Sequence, residues 1–168
     1  MLTPIPYSFV RERLRLSWRE ALWGYEHQLI GWSAVVDLAI ERLCWGSDDP
    51  LEIELASLTK METYQVGELL RKLAGASPEG DGVLVQRKWL YLLLAWLFEN
   101  KGSVPDPFGE VEAIYADFGY PPEIEGFVRY MPVTDDYDPS AHTKDENENR
   151  LYEKWREYLV TSESEFNR

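Results

Sequence analysis

With 168 residues, a net charge of −13, an apolar share of 45% and one cysteine, the chain can bury a core of its own and is not disordered. The negative field repels phosphate and so excludes a generic nucleic-acid binder. A lone Cys44 excludes an internal disulfide or a thiolate metal cage, and fits a reducing compartment.

The N-terminal Met1-Leu2-Thr3-Pro4-Ile5-Pro6 lacks a basic stretch followed by an apolar one, so no secretory leader is expected. A short helix over 8–13 follows. Ser17 stands three residues before Glu20, the spacing of a capping box, and Trp18, Ala21, Leu22, Tyr25 and Leu29 then form one helical stripe. Ser33 is the expected cap of the next helix, which runs through Val35, Val36, Ala39, Ile40 and Leu43 to Gly46. In that run Cys44 reads as a small buried hydrophobe. Asp49-Pro50 opens a short helix through Leu51, Ile53, Leu55 and Leu58. Another spans 62–74, and 75–82 is a loop by its Gly, Ser and Pro content.

The segment 83–100 is the strongest helix, apolar almost all round between Trp89 and Phe98. A helix of that kind must be surrounded, so it is the expected central strut of the fold. Its apolar run of ten residues is about half of the roughly 20 that a membrane span needs. Asp106-Pro107 starts a helix with Val111, Ile114, Tyr115 and Phe118 inward, ended by Gly119, and Pro121-Pro122 opens another to about Tyr130. A polar loop, 133–143, precedes a final helix over 144–159 with Leu151, Trp155, Tyr158 and Leu159 as its stripe. No alternating stretch makes a strand. The expectation is an all-α fold, one globular domain over 1–160 of about eight short helices packed around 83–100, with 161–168 a frayed tail.

Recognisable chemistry is sparse. His27 lies four residues after Trp23 and is expected to stack on it, and His142 sits in an acidic loop. The run Asp135-Asp136-Tyr137-Asp138 has Ser140 where an EF-hand needs glycine, so no dedicated metal site is expected. Glu110 and Asp117 share a helix face at i, i+7, while Glu112 points elsewhere. No phosphate-binding or dinucleotide glycine motif and no His-Glu-x-x-His occurs, so no catalytic residue and no cofactor is assigned.

The strings Lys88-Trp89-Leu90-Tyr91-Leu92-Leu93-Leu94, Asp106-Pro107, Val111-Glu112-Ala113-Ile114-Tyr115-Ala116-Asp117-Phe118-Gly119-Tyr120-Pro121 and Phe127-Val128-Arg129-Tyr130-Met131-Pro132 resemble an uncharacterised bacterial family of small domains of unknown function. Ser17-Trp18 and Tyr152-Glu153-Lys154-Trp155 are similar to it as well. That family in turn resembles the immunity proteins of bacterial toxin systems, which are small, acidic and cytosolic and act by binding a toxin. The resemblance implies a cytoplasmic module that protects a cell by binding a toxin. The acidic field favours a basic protein as that partner and disfavours nucleic acid and membrane, and the missing motifs point to a non-catalytic role.

Residues 100–168 carry seven Lys/Arg against sixteen Asp/Glu, so the steering surface is expected there, from Asp106, Glu110, Asp117, Asp135, Asp136 and Asp138. Tyr120 and Tyr137 are the expected anchors, while Phe118, Phe127 and Trp155 are expected to pack inside. Two alternatives stand beside this reading. One is a self-associating structural or regulatory domain forming homo-oligomers, the other an enzyme with a carboxylate-based site.

Overall fold

The computed structural model describes residues 3–76 and 82–167. Among them there are eight α-helices, α1 Tyr7–Arg11, α2 Trp18–Glu26, α3 Trp32–Cys44, α4 Pro50–Ala56, α5 Val66–Ala76, α6 Gly82–Glu99, α7 Pro107–Asp117 and α8 Lys144–Phe166. Short 3-10 turns lie at Lys60–Gln65, Lys101–Ser103, Pro122–Phe127 and Pro139–Ala141, and no strand occurs among the described residues. The fold is all-α. None of the described helices is long and apolar enough to cross a membrane. The chain sorts into two compact units, Met1–Trp89 and Leu90–Arg168. The expected loop 75–82 is helical at Gly75, Ala76 and Gly82, and its residues 77–81 lie outside the described ones.

In the first unit α3 packs on α4 and α1, and α5 packs on α2 and α4. Local chemistry sets the helix ends. The Ser17 hydroxyl accepts from the Glu20 amide at 3.1 Å while Glu20 accepts from the Ser17 amide at 3.1 Å. Asp49 accepts from the Leu51 amide at 2.9 Å, with Pro50 in the first turn. Gly46, at φ +100°, closes α3 in the left-handed conformation that glycine adopts without steric cost.

The buried face of α2 is Trp18, Ala21 and Gly24, with Glu20, whereas Leu22 and Tyr25 are half-buried. This face is rotated from the expected stripe because the Trp89 indole lies where a Gly24 side chain would stand. A Cβ built there falls 2.2 Å from Trp89 Cζ2. The indole N–H donates to the Glu20 carbonyl at 2.9 Å, and the Lys88 ammonium lies 2.8 Å from the largely buried Glu20 carboxylate. Glu52 is the other buried acid of this unit. It accepts from Trp18 Nε1 at 2.8 Å and from the Ser47 hydroxyl.

Two expectations fail in α3. The N-cap is Gly31 rather than Ser33, which is exposed in the first turn. Cys44 is exposed, not buried. It lies nine residues beyond the fully buried Val35, which at about 100° per residue turns it to the opposite side of the helix.

In the second unit α8 packs on the turn Pro122–Phe127. Trp155 is fully buried, donates its indole N–H to the Leu94 carbonyl at 3.2 Å and stacks on Phe127 at 5.7 Å between centroids. Phe98 and Phe108 complete that cluster at 5.1 and 6.0 Å from Trp155. Within α6 the residues from Leu90 to Ala95 are buried without a break, as its all-round apolar pattern requires. The expected helix from Pro121 to Tyr130 is only the 3-10 turn, since Val128 returns to extended backbone. Helix α8 continues beyond Leu159 to Phe166, with Ser162 buried and the Phe166 ring 5.7 Å from Tyr91.

Candidate partner-binding face

The connection between α7 and α8 carries most of the second unit's exposed chemistry. It borders a cleft of about 830 Å³, within the range of ligand pockets. Phe108, Val128, Met131, Pro132 and Leu151 supply its apolar walls, and Arg129, Lys144, Arg150 and Lys154 its cations.

Most of those cations are held by carboxylates of the chain itself. Arg129 donates through Nε to Glu112 at 2.9 Å and through Nη2 to Asp106 at 3.1 Å. The bond from Arg129 holds Asp106 below the usual aspartate range. Arg150 reaches both oxygens of Asp135 at 2.7 and 2.6 Å, with Lys154 at 3.5 Å, and the Arg150 bond pushes Asp135 down likewise. Asp138 accepts from the Ser140 amide and hydroxyl, so it fastens the 3-10 turn that follows. Tyr137 is half-buried, lies 4.0 Å under the Arg150 guanidinium, stacks on His142 at 4.6 Å and donates to Asn147.

The expected surface residues therefore divide. All of them but the half-buried Tyr137 are exposed, and Asp106, Asp135, Tyr137 and Asp138 are in addition bonded to other groups of the unit. His27 stacks on Trp23 at 3.8 Å in the first unit. Among the described residues no group of three or more His, Cys, Asp or Glu side chains is placed to hold a metal.

Beside the cleft stands a cluster that the sequence revealed only through Tyr120. Helix α7 ends in two successive left-handed residues, Gly119 at φ +74° and Tyr120 at φ +61°. The Tyr120 amide donates back to the Tyr115 carbonyl at 2.8 Å. Its ring is 60% exposed and meets the buried Tyr115 edge-on at 5.3 Å. Tyr130, 58% exposed, packs on the same Tyr115 at 6.1 Å. The Tyr115 hydroxyl donates to Glu125 at 3.0 Å and lies 3.8 Å from Met131 Sδ, so the cluster adjoins the cleft wall. Partial desolvation by the neighbouring groups first, and then the Tyr120 and Glu112 charges, push the Tyr130 hydroxyl upward. In the sequence, Tyr130 and Arg129 are only members of the string Phe127-Val128-Arg129-Tyr130-Met131-Pro132. Nothing in their spacing says which rings meet.

The arrangement offers aromatic contact area and carboxylate charge. The family model of DUF2247, described as an uncharacterized protein conserved in bacteria, matches residues 7–163, and the chain belongs to that family. Neither a curated protein nor a solved structure matches the chain.

Proposed function

We propose that this member of DUF2247 is a non-catalytic protein-binding module that takes a basic partner on the tyrosine-bearing face of its C-terminal unit. The observation that carries the reading is the pair of exposed rings, Tyr120 and Tyr130, on a shared buried neighbour. Tyrosine is favoured at interfaces because it brings large rigid area with little side-chain entropy to lose. The exposed acids Glu110, Asp117 and Asp136 and the net charge of −13 favour encounter with a cationic surface. A toxin domain that acts on nucleic acid presents such a surface, and immunity to it is the specific role we assign. The cytoplasm is the compartment that this role requires, and the exposed, unpaired Cys44 suits reducing conditions.

The test is affinity capture from a bacterial host with the wild-type chain and a Tyr120→Asn/Tyr130→Ala variant as baits, washed at low and high salt. One stoichiometric basic protein, held by the wild type, lost from the variant and released by salt, is the expected result. A partner held equally by both baits, or one that salt does not loosen, would remove this face from the account.

A second reading rests on a separate observation. Ile53, Met61 and Tyr64 of the first unit are 50%, 79% and 79% exposed, a surplus of apolar surface that a second copy of the chain would cover. Light scattering at two concentrations gives a mass that rises with concentration if it does.

A further inference from the structure

The tyrosine cluster has three properties that area alone does not explain. First, Tyr120 holds a left-handed backbone, which strains a bulky residue and persists where surrounding structure or function requires it. Second, two carboxylates act on the rings: Glu112 adds negative potential at Tyr130, and Glu125 is bonded to the Tyr115 hydroxyl, while the neighbouring Arg129 is shared between Glu112 and Asp106. Third, the chain places its own cations over other rings: Arg13 on Phe9, Arg15 on Trp45, Arg42 on Trp18, Lys101 on Phe98 and Arg150 on Tyr137. Among the described residues, none lies over Tyr115, Tyr120 or Tyr130.

An aromatic face is negative at its centre and attracts an alkylammonium, more so where carboxylates add to the potential. We infer that Tyr120 and Tyr130, set on Tyr115 and beside Glu112 and Glu125, form a cation-binding site for a lysine-type alkylammonium group presented by the basic partner. This rests on the functional reading above and supplies its chemical specificity. The left-handed turn at Tyr120 keeps that ring out of the core and available to the guest. The phenol rings, rather than their hydroxyls, make the contact, so phenylalanine can replace tyrosine there.

The site can be tested without the partner. The probe is tetramethylammonium chloride, titrated into the full chain carrying ring-labelled tyrosine and followed by NMR. Sodium chloride at equal ionic strength and neopentyl alcohol, an uncharged molecule of similar branched shape, serve as controls. Saturable shifts of the Tyr120 and Tyr130 ring signals at millimolar tetramethylammonium, absent with either control, are expected. Tyr120→Phe changes the affinity by no more than about twofold, and Tyr130→Leu weakens it about tenfold, as loss of one cation–ring contact implies. Equal shifts with neopentyl alcohol, or undiminished binding by Tyr130→Leu, would overturn the inference. So would an absence of shifts at tens of millimolar. If tetramethylammonium is ignored while the Tyr120→Asn/Tyr130→Ala bait still loses its partner, the face binds protein and the cation site is wrong.

Discussion

Replacing Gly24 by alanine tests the packing of the first unit at its tightest point. The new methyl would fall 2.2, 2.6 and 2.7 Å from Trp89 Cζ2, Cη2 and Cε2. Ordinary carbon contacts begin at about 3.5 Å, so the indole must retreat by more than an ångström. Trp89 is fully buried, and its N–H bond to Glu20 at 2.9 Å would not survive such a shift. Overpacking costs about 1–3 kcal/mol and an orphaned buried donor about 1–3 kcal/mol, against about 1 kcal/mol gained from helix propensity. The net expectation is a loss of about 1–5 kcal/mol, read as a lower urea midpoint at unchanged slope. Gly75→Ala is the matched control. It lies in α5 with nothing within 4 Å of its built Cβ, so a gain of about 0.5–1 kcal/mol is expected. Trp89→Phe in the Gly24→Ala background should recover part of the loss, giving a favourable coupling in the double-mutant cycle. A neutral or stabilising Gly24→Ala would refute the packing argument.

Three other outcomes are expected. Lys88→Met leaves the Glu20 carboxylate largely buried without its ammonium, and a loss of about 2–4 kcal/mol should appear in the same urea titration. Asp106 and Asp135 are both held below their usual value of 3.8 by arginine bonds. Their contribution is therefore fully present above that value and lost as the pH falls through the lower folded-state values. Melting temperature should drop along an acid limb below about pH 4, and Asp135→Asn should flatten that limb; an identical limb in the variant would discount the Arg150 pair. Cys44 should react with a thiol reagent in the native protein at close to the rate in urea, because it is exposed. Protection until unfolding would contradict its place on α3.

Local signals carried most of the architecture. The capping box at Ser17, the Asp49-Pro50 start and the glycines closing α3 and α7 are each decided within a few residues, so the all-α reading needed no tertiary information. What escaped depends on partners remote in sequence. Gly24 carries no signal of its own within α2, and only the fold shows Trp89 occupying the place of its missing side chain. Cys44 was misplaced by composition, which says nothing about helical phase. At the candidate face Tyr120 stood out among carboxylates. Tyr115 was assigned to the core, where it is, but its role as the seat for two other rings depends on turns that no periodicity encodes. Asp106 and Asp135 were read as free charge because the arginines that hold them come from other segments.

The burial of Trp155 has a consequence for synthesis. Translation proceeds from the N-terminus, so Phe98, Phe108 and Phe127 leave the ribosome before the indole that stacks on Phe127 and meets the other two. During that interval the second unit presents three aromatic side chains lacking their common neighbour. A nascent chain halted before α8 exposes a sticky, half-assembled core of the kind that chaperones engage. The release of α8 is then the step that brings those three side chains their common neighbour.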